Sequence, residues 1–500
     1  MNKRIGITCL IILGSACLLT SIIVVGGVGV YMWDKANPMP TITAAPTYAI
    51  VPEVTTCPAG VCQESSTPNG ALPTDSNTAA AIPTVELPNY IVKVMDQIQT
   101  EVVQIRGLQP RRKIPRALLS SSDLRNKVVN DFLVDYTPED AQNDAIVLSI
   151  LGLLPPDFDL LSFYEELYNE QIAGYYDDET KEMYVVRSSG FGGPEKMTYS
   201  HEFTHVLQDQ NYDLRNGLRV NDEDCEKESE RCAAITALIE GDASLTEYDW
   251  LYQYASDQDR SEIQTFYQSY ESPVYDSAPP FMQDDFLFPY TAGQEFVQVL
   301  FDQGGWHAIN NAYANPPVST EQIMHPSRYP FDTPIVISLP DVSSALGQGW
   351  VQTETNVIGE WYTYLVLAKG YQFETQIDDT LARTASEGWG GDAFQVYYNA
   401  ATNQTVLVMK TTWDTSRDAK EFYDAFKLYG KTRWGSPSSH FNLYTWLMNL
   451  VHGVKMPDSE TTWQTDTQSV EIRYNSHTTL VIIAPDSNTI DLIIQTLNVK

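Results

Sequence analysis

Two histidines four residues apart with an acid beside the first, His201-Glu202-Phe203-Thr204-His205, have a use together only on a helix. There the rings project from one face a turn apart and their nitrogens can converge on one metal ion, while Glu202 stands beside the ion rather than on it. The surroundings predict such a helix from Glu195 to Asp213. Gly192-Gly193 breaks the preceding segment, Pro194 suits the first helical position, and Glu195 places a negative charge in the first turn. Met197, His201, Thr204, His205 and Gln208 share a face at helical spacing, and Phe203, Val206 and Leu207 offer apolar surface elsewhere. The bland alternative is a pair of core histidines bonded to polar neighbours, but two imidazoles and an acid on one turn are costly to bury without a function.

The rest of the chain bounds what that helix can serve. With 500 residues, 43% of them hydrophobic, the protein can bury a large core, and its length fits two or three domains. A net charge of −34 argues against nucleic acid and against adhesion to an anionic membrane surface, since both need basic patches. Arg111-Arg112-Lys113 is the one basic cluster. The Gly-rich stretches lack a phosphate-loop pattern, so no nucleotide is expected, and no Ser or Cys nucleophile constellation competes with the histidine pair.

After Lys3 and Arg4 the sequence runs uncharged from Ile5 to Trp33, long enough to span a bilayer. This predicts a membrane anchor over 1–36 with a cytoplasmic N-terminus and an extracytoplasmic remainder; a cleaved signal with a site near Thr43-Ala44-Ala45 is the alternative. Residues 37–88, rich in Pro and Thr, read as a disordered linker. Cys57 with Cys62 and Cys225 with Cys232 are close pairs that suit local disulfides in an oxidising compartment. A bridge from Cys225 to Cys232 requires a bend between them, because one straight helix would hold the sulfurs too far apart. A zinc site at Cys57 and Cys62 is the rival, without a second ligand pair.

Residues 89–338 carry the helix pattern. Helices are expected from Tyr90 to Ile105, Ser122 to Tyr136 and Pro138 to Leu151, and a strand, turn and strand from Ala173 to Arg187. A metal with catalytic work needs a third protein ligand and an open position. Ala233 to Trp250 is the best source: Glu240 interrupts an apolar helical run and is followed by small Gly241 and Ala243, which let that helix approach the metal helix. Asp242 and Glu247 are the alternatives, whereas the acids from Glu223 to Glu230 look solvated. Asp209 and Asp242 are plausible acceptors for the outer ring nitrogens. Tyr290, in a helical run ending at Gly304-Gly305, and His325, after a cap at Ser319, are candidates to polarise a carbonyl; His307 is weaker.

Residues 339–500 change character. Helices are expected over Trp350 to Ala368 and Leu381 to Glu387, then paired strands at Phe394 to Tyr398 and Thr405 to Thr411, with a tight loop at Gly388 to Asp392. A helix from Asp418 to Tyr429, strands at Val470 to Tyr474 and Thr478 to Ile483, and a helix from Thr489 to Leu497 complete an α+β accessory unit without a catalytic constellation of its own.

His201-Glu202-Phe203-Thr204-His205, with Glu240-Gly241-Asp242 on a following helix, resembles the gluzincin class of zinc metallopeptidases, and within it a group of uncharacterised, membrane-anchored bacterial zinc peptidases. The metzincin pattern fails at Gln208 and Asn211, where Gly and His are required. The resemblance covers mainly Glu195 to Trp250. It implies a mainly helical zincin-like domain with a small sheet, in an α+β chain whose remaining parts are the anchor and the C-terminal unit. It also implies Zn2+ held by His201, His205 and Glu240, with Glu202 as general base toward a zinc-activated water. The expected activity is hydrolysis of peptide bonds in a peptide or protein substrate; the strand before the metal helix is either an edge that holds that substrate by backbone pairing or a plain structural hairpin. The alternative expectation is a cell-envelope binding protein whose zinc is structural.

Overall fold

Thr137, Thr415 and Gly192 begin three of the helices that carry the architecture, and each start has a side-chain partner for its orphan amides. The structure, a computed structural model, describes residues 18–22, 87–127, 130, 133, 136–186, 190–438 and 458–498. Among its helices are α1 (Asn89–Arg106), α2 (Pro138–Leu151), α3 (Leu160–Gln171), α4 (Gly193–Tyr212), α5 (Ser229–Gln253), α6 (Pro280–Ala314), α7 (Gly359–Ala368), α8 (Ser416–Trp434) and α9 (Ser487–Asn498). The fold is α+β with two sheets.

The first sheet has strands β1 (Leu18–Ile22), β2 (Arg116–Leu119), β3 (Ile172–Asp177) and β4 (Glu182–Val186) in the order β1-β3-β4-β2. β3 and β4 form the expected hairpin, and Asp177 makes its turn by accepting from the amides of Glu179 and Thr180, both at 2.9 Å. β3 is not an edge, however: β1 pairs with it antiparallel, Ser21 opposite Gly174. At Leu18–Ile22 the N-terminal apolar run is therefore extended, its backbone groups met by a sheet rather than by a helix. The rest of the expected anchor, most of the 37–88 linker, Thr43-Ala44-Ala45, Cys57 and Cys62 lie outside the described residues. No helix among the described residues is long and apolar enough to cross a membrane.

The second sheet is antiparallel, with β5 (Val351–Asn356), β6 (Trp389–Asn399), β7 (Gln404–Trp413), β8 (Ser459–Gln464), β9 (Ser469–Asn475) and β10 (Thr478–Ala484) in the order β5-β6-β7-β10-β9-β8. Both faces are covered, and the period of two shows it: Leu407, Met409, Val481 and Ile483 join a core that includes Phe422 and Phe426 of α8. Val406, Val408, Ile482 and Ala484 face Ile490, Ile493 and Ile494 of α9. Two expectations fail here. Trp350 to Ala368 is not one helix but β5, which ends at Asn356, followed by α7, which opens on Gly359 with a φ of +75° that no helix interior adopts. Gly388 to Asp392 is largely strand, with a register shift between Trp389 and Gly391.

Of the helix expected from Ser122 to Tyr136, Ser121–Lys127 is helical, and residues 128–129, 131–132 and 134–135 lie outside the described residues. Cys225 and Cys232 are bridged, and the predicted break is present: the short helix Asp222–Lys227 stops at Glu228, whose φ of −133° and ψ of 55° are not helical, and α5 begins at Ser229.

Candidate metal centre

α4 is fixed at its first turn, where the Glu195 carboxylate accepts from the Gly192 amide at 2.9 Å and Lys196 pairs with Asp259. One side of α4 rests on the first sheet. Gly174 of β3 allows this, since a Cβ there would stand 2.7 Å from Thr198 Cγ2 and 3.3 Å from Glu202 Cγ. The other side faces α5, which is buried along most of its length.

Between the two helices the predicted ligands meet. His201 Nε2 lies 3.1 Å and His205 Nε2 3.5 Å from the same oxygen of Glu240, and one donor atom from each residue falls within 4.8 Å of the others. All three side chains are buried, as is Glu202 on the same turn. Two imidazole nitrogens and one carboxylate oxygen are a donor set suited to zinc, and ligands about 2.0–2.1 Å from a tetrahedral ion stand roughly 3.3 Å apart. His205 Nε2 is buried without a hydrogen-bond partner among the described residues, which suits an atom that ligates a cation. The residues therefore fit the metal that their pattern implies. Burial works against a charged imidazole at His201, but the carboxylates of Glu240 and Glu247 outweigh it and raise its pKa. Burial likewise opposes the charge on Glu240, and His205 and His201 hold its pKa below the ordinary value.

The outer nitrogens are held as well. His201 Nδ1 meets Glu247 Oε2 at 3.1 Å, and His205 Nδ1 meets Gln208 Oε1 at 2.8 Å. Gln208 in turn donates to Ile239 O at 2.9 Å and to Asp242 Oδ2 at 3.0 Å. Asp242 is the hub of a buried network: Arg106 donates to it from Nε at 2.6 Å and Nη2 at 3.1 Å, and Tyr313 from its hydroxyl at 2.8 Å.

Glu247 is thus neither solvent-facing nor one of the three clustered donors, and Asp242 supports His205 through Gln208 rather than directly. Asp209 is spent elsewhere, accepting from Tyr176 and Lys181 and so tying α4 to the first sheet. Gln208 carried a signal in its place on the histidine face; Glu247, two turns beyond Glu240, carried only its spacing.

Tyr290 of α6 comes to the site, its ring centre 6.3 Å from that of His201. The reason is backbone contact between α5 and α6: a Cβ on Gly241 would meet Gly293 O at 2.2 Å, and one on Gly293 would meet Ala237 O at 2.1 Å. Gly241 thus admits the Tyr290 helix, where the sequence suggested an approach to the metal helix. His325 is engaged differently, with Nε2 2.8 Å from Glu360 Oε1 at the start of α7. Glu230, expected to be solvated, is buried and accepts from the Thr320 amide and hydroxyl at 2.6 and 2.8 Å. A second acidic cluster, Glu321, Asp332 and Asp414, already holds Arg328.

Residues 348–493 match a family described as a domain of unknown function, DUF8575, and that stretch holds all six strands of the second sheet with α7 and α8. No curated protein and no solved structure matches the chain.

Proposed function

We propose that the protein is a zinc-dependent peptidase whose metal is held by His201, His205 and Glu240 in a zincin-like helical part. The observation that carries this is the convergence of those three donors with Glu202 buried on the turn between the histidines. Bound there, zinc supplies a Lewis acid and makes a water more acidic. Glu202 takes the proton of the attacking water and passes it to the amine as the peptide C–N bond breaks. The Tyr290 hydroxyl donates to the oxygen that gains charge on the carbonyl. Glu247 and Gln208 fix the tautomer and aim of the two imidazoles. The Cys225–Cys232 bridge supports an oxidising, extracytoplasmic location.

The deep burial of the site favours one rival, a cell-envelope binding protein with a structural zinc. Three protein donors argue against it, because a structural zinc is closed by four and gains nothing from an acid at Glu202. Glu202→Gln in the full chain separates the two: retained zinc with lost cleavage of a fluorescent casein supports the peptidase. Cleavage at the wild-type rate by that variant contradicts it.

A further inference from the structure

A cleft of about 830 Å³ opens between the C-terminal end of α2 with the residues after it and the second-sheet unit, built from groups other than the metal donors. That volume is in the range of small-molecule sites. Its base is pinned across the junction: Arg433 donates to Ser149 O and Ile150 O at 3.3 and 2.9 Å, and the Tyr371 amide to Gly152 O at 3.1 Å. Arg433, the cation of the lining, is thereby spent, with its guanidinium also on the Tyr429 hydroxyl at 2.8 Å and over the Trp434 ring. Asp159 is spent too, capping α3 through the amide and hydroxyl of Ser162.

What remains on the walls is the Asp157 carboxylate, which accepts hydrogen bonds, together with neutral polar groups and aromatic faces. Gln142, Gln404 and Gln468 bring amides, each a donor and an acceptor on one flat group, and Tyr371 and Tyr398 bring rings. Trp434 adds the decisive feature. It is only 8% exposed, it lines the cleft, and its indole N–H has no hydrogen-bond partner among the described residues. A buried donor of that kind is uncommon and calls for an acceptor.

We propose that this cleft binds a neutral oligosaccharide, whose ring oxygen or a hydroxyl accepts from Trp434. Vicinal hydroxyls pair with the amides of the glutamines, and the C–H faces of the sugar lie on the tyrosines. An anionic ligand finds no free cation among the described lining residues and meets the Asp157 carboxylate, and a long apolar one would leave the amides unpaired. The site is independent of the metal centre and does not rest on the peptidase reading.

The test is calorimetric titration of the full chain with cellotriose, maltotriose and chitotriose, with trigalacturonate and trialanine as anionic and peptide controls. At least one neutral trisaccharide is expected to bind saturably, and Trp434→Phe and Gln404→Ala are each expected to weaken it about tenfold, the loss of one well-made hydrogen bond. Gln404 is exposed, so its variant reports on the cleft even if Trp434→Phe disturbs packing. His201→Ala is expected to bind the sugar as the wild type does. Absence of binding for all three neutral sugars, equal binding by both cleft variants, or binding of trialanine in their place overturns the proposal.

Discussion

At the scale of single residues, the groups proposed to hold the metal are distinct from the one proposed to move the proton. Glu202→Gln keeps the shape of the side chain and removes its basicity, so hydrolysis is expected to fall about a hundredfold or more with zinc retained. Glu247→Ala frees the His201 ring from its 3.1 Å partner, and zinc affinity is expected to drop about 10–100-fold, read by competition with a chromogenic chelator. An unchanged affinity would remove Glu247 from the support of the site. Glu240 was legible in the sequence because an acid amid Ala, Leu and Ile needs a reason to be there. Asp209 misled, since spacing alone cannot say that its side of α4 faces Tyr176 and Lys181 rather than the metal.

At the scale of elements, the contact of α5 with α6 places Tyr290 near His201, and it tolerates no side chain at Gly241 or Gly293. Gly241→Ala is expected to cost about 1–3 kcal/mol of stability by overpacking, measured by urea unfolding, and to weaken zinc binding as Glu240 shifts. The start of α5 carries a pH dependence. Burial first, then the nearby Asp392 and Glu360, push the Glu230 carboxyl up to about 8, with the Thr320 amide and hydroxyl pulling the other way. The folded protein therefore holds a proton that the unfolded chain releases near pH 4.5, so stability falls as pH rises from about 5 through 8. Glu230→Gln is expected to flatten that fall in a series of melting curves, and an unchanged slope would contradict it. The α4 helix and the β3–β4 hairpin were legible because caps, turn residues and periodicity are local. β2, β5 and β8 were not, because a strand such as Val351–Asn356, with five polar residues, is stabilised by its pairing with β6, far along the chain.

At the scale of the whole molecule, one of the apolar clusters is shared between the helical part and the C-terminal sheet unit. A single apolar cluster runs from Leu119 through Phe288 to Ile483, and Trp361 and Tyr362 of α7 donate to the buried Asp285 of α6 at 2.8 and 2.7 Å. A chain ending at residue 338 is expected to show no cooperative melting transition, because it loses that cover. The Cys225→Ser, Cys232→Ser double variant is expected to fold with about 2–3 kcal/mol less stability, the scale for a short closed loop. The sequence announced a bend between the two cysteines but could not announce this shared core, which depends on contacts hundreds of residues apart.

The most direct measurement is the metal content of the purified full chain by elemental mass spectrometry, beside its His201→Ala and Glu240→Ala variants. One zinc per chain in the wild type, lost in both variants, is the predicted result. A wild type that takes up no zinc when metal is supplied, or variants that keep it, would contradict the assignment of His201, His205 and Glu240 as the metal's ligands.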